Sequence, residues 1–235
     1  MIRVYIEALD PKKPIPLSVD QYHYLAHVMR LKAGDSFLAF NQLQGEFLAV
    51  FQPKNKKEGH LLLQKQTRLP EQPRPPVTLY IAPIRKEKME LVLQKATEIG
   101  IEIIQPILTK HTCHRPLSKE RADIIIKEAV EQSERLTLPN WLPPISLEEL
   151  LIKRSKDIPL FYLSERGETQ HISLPAPPIS FLIGPEGGFS KEEITLLGQQ
   201  KNAQAINLGA FILRAETAAI AMLATYRFHK LFYTA

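Results

Sequence analysis

A single cysteine, Cys113, rules out a disulfide within the chain, so nothing in the sequence asks for an oxidising compartment. No apolar run approaches the roughly 20 residues needed to span a bilayer. The opening stretch MIRVYIEALD is too charged, and too short in its apolar run, for a secretory leader. The expected location is therefore the cytoplasm, with no membrane partner. Two nucleotide signatures are missing as well. No Gly-x-Gly-x-x-Gly turn occurs, and no glycine-rich loop ends in Gly-Lys-Ser/Thr, which excludes the dinucleotide fingerprint and the P-loop. Metal ligands are sparse too. His23 and His27 stand four apart, but no Glu lies between them and no third ligand is evident. His111, Cys113 and His114 of KHTCHRP sit too close along an extended chain to point one way. No metal is expected.

What is present is ordinary for a globular protein: 44% hydrophobic and 23% charged residues. The net charge of +5 and a pI of about 9.2 favour an anionic partner. The excess is uneven. Residues 1–69 hold ten Lys and Arg against six Asp and Glu, while the remainder holds 20 against 19. That split suggests an anion-binding first part and a second part that carries chemistry, although a basic solvated surface looks the same.

The first third alternates short strand-like runs (Arg3–Glu7, Ser36–Phe40, Glu46–Phe51, Leu61–Lys65) with turns, the pattern of a small β-barrel. Ser18 is placed to cap a helix whose inner face carries Tyr22, Leu25, Ala26 and Met29. Arg3, Arg30, Lys32 and the lysines of 54–57 are candidate phosphate contacts. Four prolines in Pro70–Pro76 form a stiff extended linker. The domains are therefore placed at 1–70 and 77–235, with 71–76 between them. From Val77 onward strands alternate with helices, so a mainly parallel sheet covered on both faces is expected. Gly100 should stop the first of these helices. Ser118 should cap the next, on which Glu128, Gln132 and Arg135 share a face. Trp141–Pro144 reads as a turn, and Glu165 follows the strand Pro159–Leu163. The last helix, Glu216–Phe232, is apolar nearly all round through Ala218–Ala224, which calls for burial on more than one side.

Two glycine-bearing turns near the C-terminus stand out: IGPEGGFS (183–190) and NLGAFILRAETA (207–218). Each follows a strand-like run, Ile179–Ile183 and Ala205–Leu208, and each leads into a helix. Glycine lets a backbone approach a ligand closely, and a helix start offers unpaired N–H groups. Ser190 and Glu193 have capping-box spacing. Both turns would sit at carboxyl ends of strands and line one small-molecule site. On spacing alone, two tight turns without a ligand are the favoured reading, since lone glycine turns are weak signals.

These two motifs, with HVMRLKAGD (27–35), QKATEIG (94–100) and EAVEQSERLTLP (128–139), resemble the RsmE family of SPOUT-class methyltransferases. The resemblance implies an α/β fold of SPOUT type, with a mainly parallel sheet and a C-terminal trefoil knot, preceded by a small PUA-like β-barrel domain that holds RNA. It implies methylation of N3 of a uridine in small-subunit (16S) ribosomal RNA, S-adenosylmethionine as cofactor, and a homodimer. The cofactor would lie against the strand ends Leu163 and Ile183, the backbone at Gly184, Gly187 and Gly209, and an apolar wall of Leu208, Ile212 and Leu213. Glu186 would orient the donor or its loop. Arg214 would stabilise the uracil anion, and Glu216 would cap the last helix or move a proton. Arg115, Gln132 and Arg135 would join Arg3, Arg30 and Lys32 on the RNA. At 110–112 the chain carries Lys-His-Thr where the family shows a Glu-Arg-Ser-like sequence. Other functions stay open: an RNA-binding protein that kept the fold without catalysis, or a SPOUT enzyme acting on another nucleotide or on ribose.

Overall fold

The computed structural model describes residues 1–164 and 174–233. Glu165 and most of the polar stretch around it lie outside the described residues. The chain forms two compact units: Met1–Pro73 with Val130–Leu138, and Arg74–Ala129 with Pro139–Ala235.

The first unit contains β1 (Arg3–Tyr5), β2 (Ile15–Pro16), α1 (Val19–His23), β3 (Ser36–Asn41), β4 (Gly45–Pro53) and β5 (Gly59–Arg68). Period-2 alternation explains the strands. Phe37 and Ala39 of β3 and Phe47, Ala49 and Phe51 of β4 share one buried cluster with Val4, Leu25 and Leu61. Burying the Phe, Val and Leu side chains among them contributes roughly 1.5–3 kcal/mol each. The sheet order is β1-β3-β4-β5-β2. Among the described residues no ladder joins β1 to β2 in this five-stranded sheet. Its last strand has only two residues, and Pro16 has no N–H to donate. Ser18 caps α1 in a reciprocal box with Gln21. The expected single helix then becomes a π-helical turn at Tyr24–Val28, which buries Leu25 and leaves Ala26 and Met29 half-exposed.

The second unit runs β6 (Val77–Ile81), α2 (Lys86–Ile99), β7 (Ile103–Leu108), α3 (Lys119–Gln132, whose last turn belongs to the first unit), β8 (Asn140–Trp141), β9 (Ile145–Ser146), α4 (Leu147–Lys153), β10 (Leu160–Leu163), β11 (Ile179–Ile183), α5 (Lys191–Gly198), β12 (Ala203–Ile206) and α6 (Ala215–Tyr233). Trp141 thus stands in a short strand rather than a turn, because β7 offers it a parallel ladder. Gly100 ends α2 with φ +101°, donating its N–H to the carbonyls of Ala96 and Thr97.

Every pairing in this second sheet is parallel, in the order β12-β10-β11-β6-β7-β8, with β9 also on β7. Helices cover both faces. Leu182 of β11 packs with Leu150 of α4 and Leu197 of α5. Its neighbour Phe181 faces the other way, with its ring 5.2 Å from that of Tyr226 on α6. Across Ala218–Ala224 of α6, no residue is fully exposed within the chain itself. The consequence for function is positional: β12, β10 and β11 lie side by side and parallel, so Ile206, Leu163 and Ile183 end at one edge. Ser164 N–H to Ile206 O, at 2.9 Å, ties two of those ends together.

Candidate functional site

A cavity of about 850 Å³ opens at that edge. Its size suits a nucleoside-sized ligand. Leu163 and Ile183 form its floor. The turn after β11 supplies Gly184, Glu186 and Gly187, and the segment after β12 supplies Leu208, Ile212 and Leu213. Arg214 and Glu216, at the start of α6, complete the set expected to gather here. Gly209 is the exception, since it does not line the cavity. It shapes the loop instead: its φ is +116°, and its N–H donates to Asn207 Oδ1 at 2.8 Å.

Two glycines of the first turn are also packed closely by the protein itself. A Cβ on Gly184 would lie 3.1 Å from the Phe189 ring, and one on Gly187 would lie 3.3 Å from Cβ of His111. A side chain at either position would have to push its neighbour aside by a few tenths of an ångström. Gly188, unremarked in the sequence, carries the positive φ of +65° that the turn needs. Beyond it, α5 starts in the anticipated capping box: Ser190 Oγ accepts from Glu193 N–H at 3.2 Å, and Glu193 Oε2 from Ser190 N–H at 2.7 Å.

Charge around the cavity is mostly positive. Arg85, Lys88, Lys191 and Arg214 face Glu186 and Glu216. Arg214 is exposed, while Glu216 is nearly buried and pairs with Lys88, Nζ to Oε1, at 3.4 Å. Burial pushes the Tyr162 hydroxyl above its usual pKa. Arg85, Lys88, Phe189, Lys191 and Phe211 were not singled out from the sequence as site residues. For Arg85 and Lys88 the available signal was their place just after a strand. It becomes informative only once β6 is known to lie beside β11.

The RNA candidates fall into two groups. Arg30, Lys32, Arg115 and Gln132 are exposed. Arg3 is not a surface cation. It is buried against Glu46 at 2.7 Å, and its guanidinium also donates to the carbonyls of Val130, Glu131 and Arg135. Four acceptors hold it, so it is not free for phosphate. Arg135 is half-buried and bonds Thr137 Oγ1 at 3.4 Å. It does not share a helical face with Glu128 and Gln132, because α3 ends at Gln132 and Glu134 turns with φ +58°.

Residues 70–227 match the RNA methyltransferase domain family and residues 17–64 the RNA methyltransferase PUA domain family. A ribosomal RNA small subunit methyltransferase E from Rickettsia conorii is 37% identical over 232 residues, which is 96% of this chain and 94% of its own. The chain belongs to the ribosomal RNA small subunit methyltransferase E family. Another member, from Synechocystis, is 33% identical over 222 residues, 89% of this chain and 71% of its own. The solved structure of the family member from Neisseria gonorrhoeae, bound to S-adenosyl methionine, superposes with a TM-score of 0.83 at 28% identity, covering 100% of both chains. A Legionella pneumophila methyltransferase in complex with bound SAM gives 0.82 at 28% identity, covering 97% of each chain. The α/β domain with its parallel sheet and the PUA-like domain before it are thus the family's architecture in this chain.

Proposed function

We propose that this chain transfers a methyl group from S-adenosylmethionine to N3 of a uridine in small-subunit (16S) ribosomal RNA. The observation that carries this function is the cavity of about 850 Å³ where the two turns meet at the ends of three adjacent parallel strands. Its lining suits the donor. Leu163, Ile183, Leu208, Ile212 and Leu213 offer apolar walls to an adenosine, and the turns offer backbone groups to its polar edges. The bound donor supplies a methyl group already activated on a sulfonium, so the protein's work is chiefly orientation and exclusion of water.

The uracil is the harder partner, because N3 attacks only once its proton is gone. Arg214, exposed at the cavity, is the cation for the charge that spreads to O2 and O4. Glu216, paired with Lys88, is our choice to take the N3 proton, with capping of α6 as its other role. Arg85 and Lys191 add positive charge that favours a polyanion. With these go the trefoil knot of the C-terminal segment, a homodimer, and action in the cytoplasm, where small subunits are made. Among the described residues no helix is long and apolar enough to cross a membrane.

The test is to incubate the protein with labelled donor and small-subunit RNA, free or assembled, and to analyse the nucleosides by mass spectrometry. The expected product is 3-methyluridine. Methyl on another atom would point to a different target, and donor binding without any transfer would favour the non-catalytic alternative.

A further inference from the structure

The loop 109–114 lies directly against the glycine turn. His111 Nδ1 stands 3.1 Å from Gly187 O and 3.0 Å from Gly188 O. Both neighbours are carbonyls and can only accept, so Nδ1 carries the hydrogen and the tautomer is fixed. The contact is close on the carbon side too: a Cβ at residue 187 would lie 3.3 Å from Cβ of His111. The loop behind His111 is itself anchored. Lys110 N–H donates to Glu193 Oε1 at 2.8 Å, and Glu193 is a buried carboxylate whose other oxygen closes the α5 capping box. Thr109 N–H donates to Thr112 Oγ1 at 2.9 Å. Further along, His114 Nε2 lies 3.8 Å from Glu186 Oε1 on the cavity wall.

From this we infer that His111 is a positioning residue for donor binding. It grips two successive carbonyls of the turn Pro185–Gly188 and holds that turn in its binding shape before the donor arrives. Ordering free backbone costs free energy for each residue fixed. A turn already ordered by His111 spares the donor that cost, which appears as affinity. The inference rests on the proposal that this cavity holds S-adenosylmethionine. It goes beyond it in assigning donor affinity to a side chain that need not touch the donor.

The experiment measures S-adenosylmethionine affinity by calorimetry, with KM and kcat for methyl transfer and thermal midpoints in parallel. His111→Ala should weaken the donor's Kd and raise its KM by about five- to tenfold, the loss expected for a hydrogen-bonded contact, while kcat at saturating donor changes little. His111→Asn places an amide N–H where Nδ1 stands and should restore most of the affinity. His111→Gln places its amide where Nε2 stands and should not. If His111→Ala does not fold, the Asn and Gln variants decide. Equal affinity in wild type, Asn and Gln forms, or equal loss in both variants, overturns the role of Nδ1. A wild-type protein that binds no donor at all would instead sink the proposed function itself.

Discussion

Arg3 Nε lies 2.7 Å from Glu46 Oε2, with the two side chains only 4% and 5% exposed. Thr67 Oγ1 donates to the other Glu46 oxygen at 2.9 Å. The guanidinium also stands 4.0 Å from the centre of the Phe40 ring. Its remaining donors reach the carbonyls of Val130, Glu131 and Arg135, so one buried cation fastens residues 130–138 into the first unit. Arg3→Ala leaves Glu46 charged, buried and unpaired, and should cost about 3–5 kcal/mol. Arg3→Ala with Glu46→Ala should cost less than the sum of the two single changes. Urea unfolding of the four proteins checks both statements, and a loss under about 1 kcal/mol would show that the pair is not what holds the segment.

Much of this architecture is written locally. Ile179–Ile183 is a run apolar but for Ser180, closed by Pro178 and Gly184, and it is β11. Ser190 and Glu193 announce the start of α5, and Gly100 the end of α2. Both glycine turns are visible for the same reason: turn and cap chemistry needs only neighbours in sequence. What escaped depends on distant partners. The burial of Arg3 is decided by Glu46, 43 residues away, and by carbonyls more than 120 residues away. Lys88 enters the site because β6 pairs with β11, a fact of sheet order. Arg135 leaves the helical face because Glu134 adopts φ +58°, which spacing does not reveal.

The two kinds of glycine should respond differently to alanine. Gly209 has φ +116° and open space around it, so Gly209→Ala should cost roughly 1–2 kcal/mol through backbone strain alone. Gly184→Ala meets the Phe189 ring at 3.1 Å, a side chain that can be cut back. Phe189→Leu should therefore recover donor binding in Gly184→Ala, and no neighbouring truncation should recover Gly209→Ala. Calorimetric titration of the variants separates the cases. Rescue of Gly209→Ala by Phe189→Leu would mean the conformational explanation is mistaken.

Arg214 should matter for rate rather than for donor affinity. Removing a cation aimed at developing charge commonly costs a hundredfold or more, so Arg214→Ala should slow single-turnover methylation by roughly a hundredfold. Its S-adenosylmethionine Kd should stay within about twofold of wild type. An unchanged rate would remove Arg214 from the mechanism.

Glu192 gives the fold a pH dependence at the start of α5. Its carboxylate accepts from its own backbone N–H, then from Ser190, and pairs with Lys110 at 3.1 Å, which together lower its pKa from 4.5 to about 2. Because the folded value is depressed, the stabilisation is fully present above the unfolded pKa near 4.5. It is lost as pH falls from there through about 2. Glu192→Gln should thus be less stable than wild type at neutral pH, with the gap closing between about pH 4.5 and pH 2. The group is exposed, so the gap should also shrink in high salt. Thermal midpoints of both proteins across that range provide the check, and a gap that widened on acidification would reverse the sign.

The most direct measurement is a crystal structure of this protein soaked with S-adenosylmethionine. Density for the donor should fill the cavity bounded by Leu163, the turn at Gly184–Gly187 and the segment Leu208–Leu213, with the methyl-bearing sulfur open towards Arg214. Donor density at any other place, or a fully occupied crystal in which these two turns do not touch it, would contradict the account.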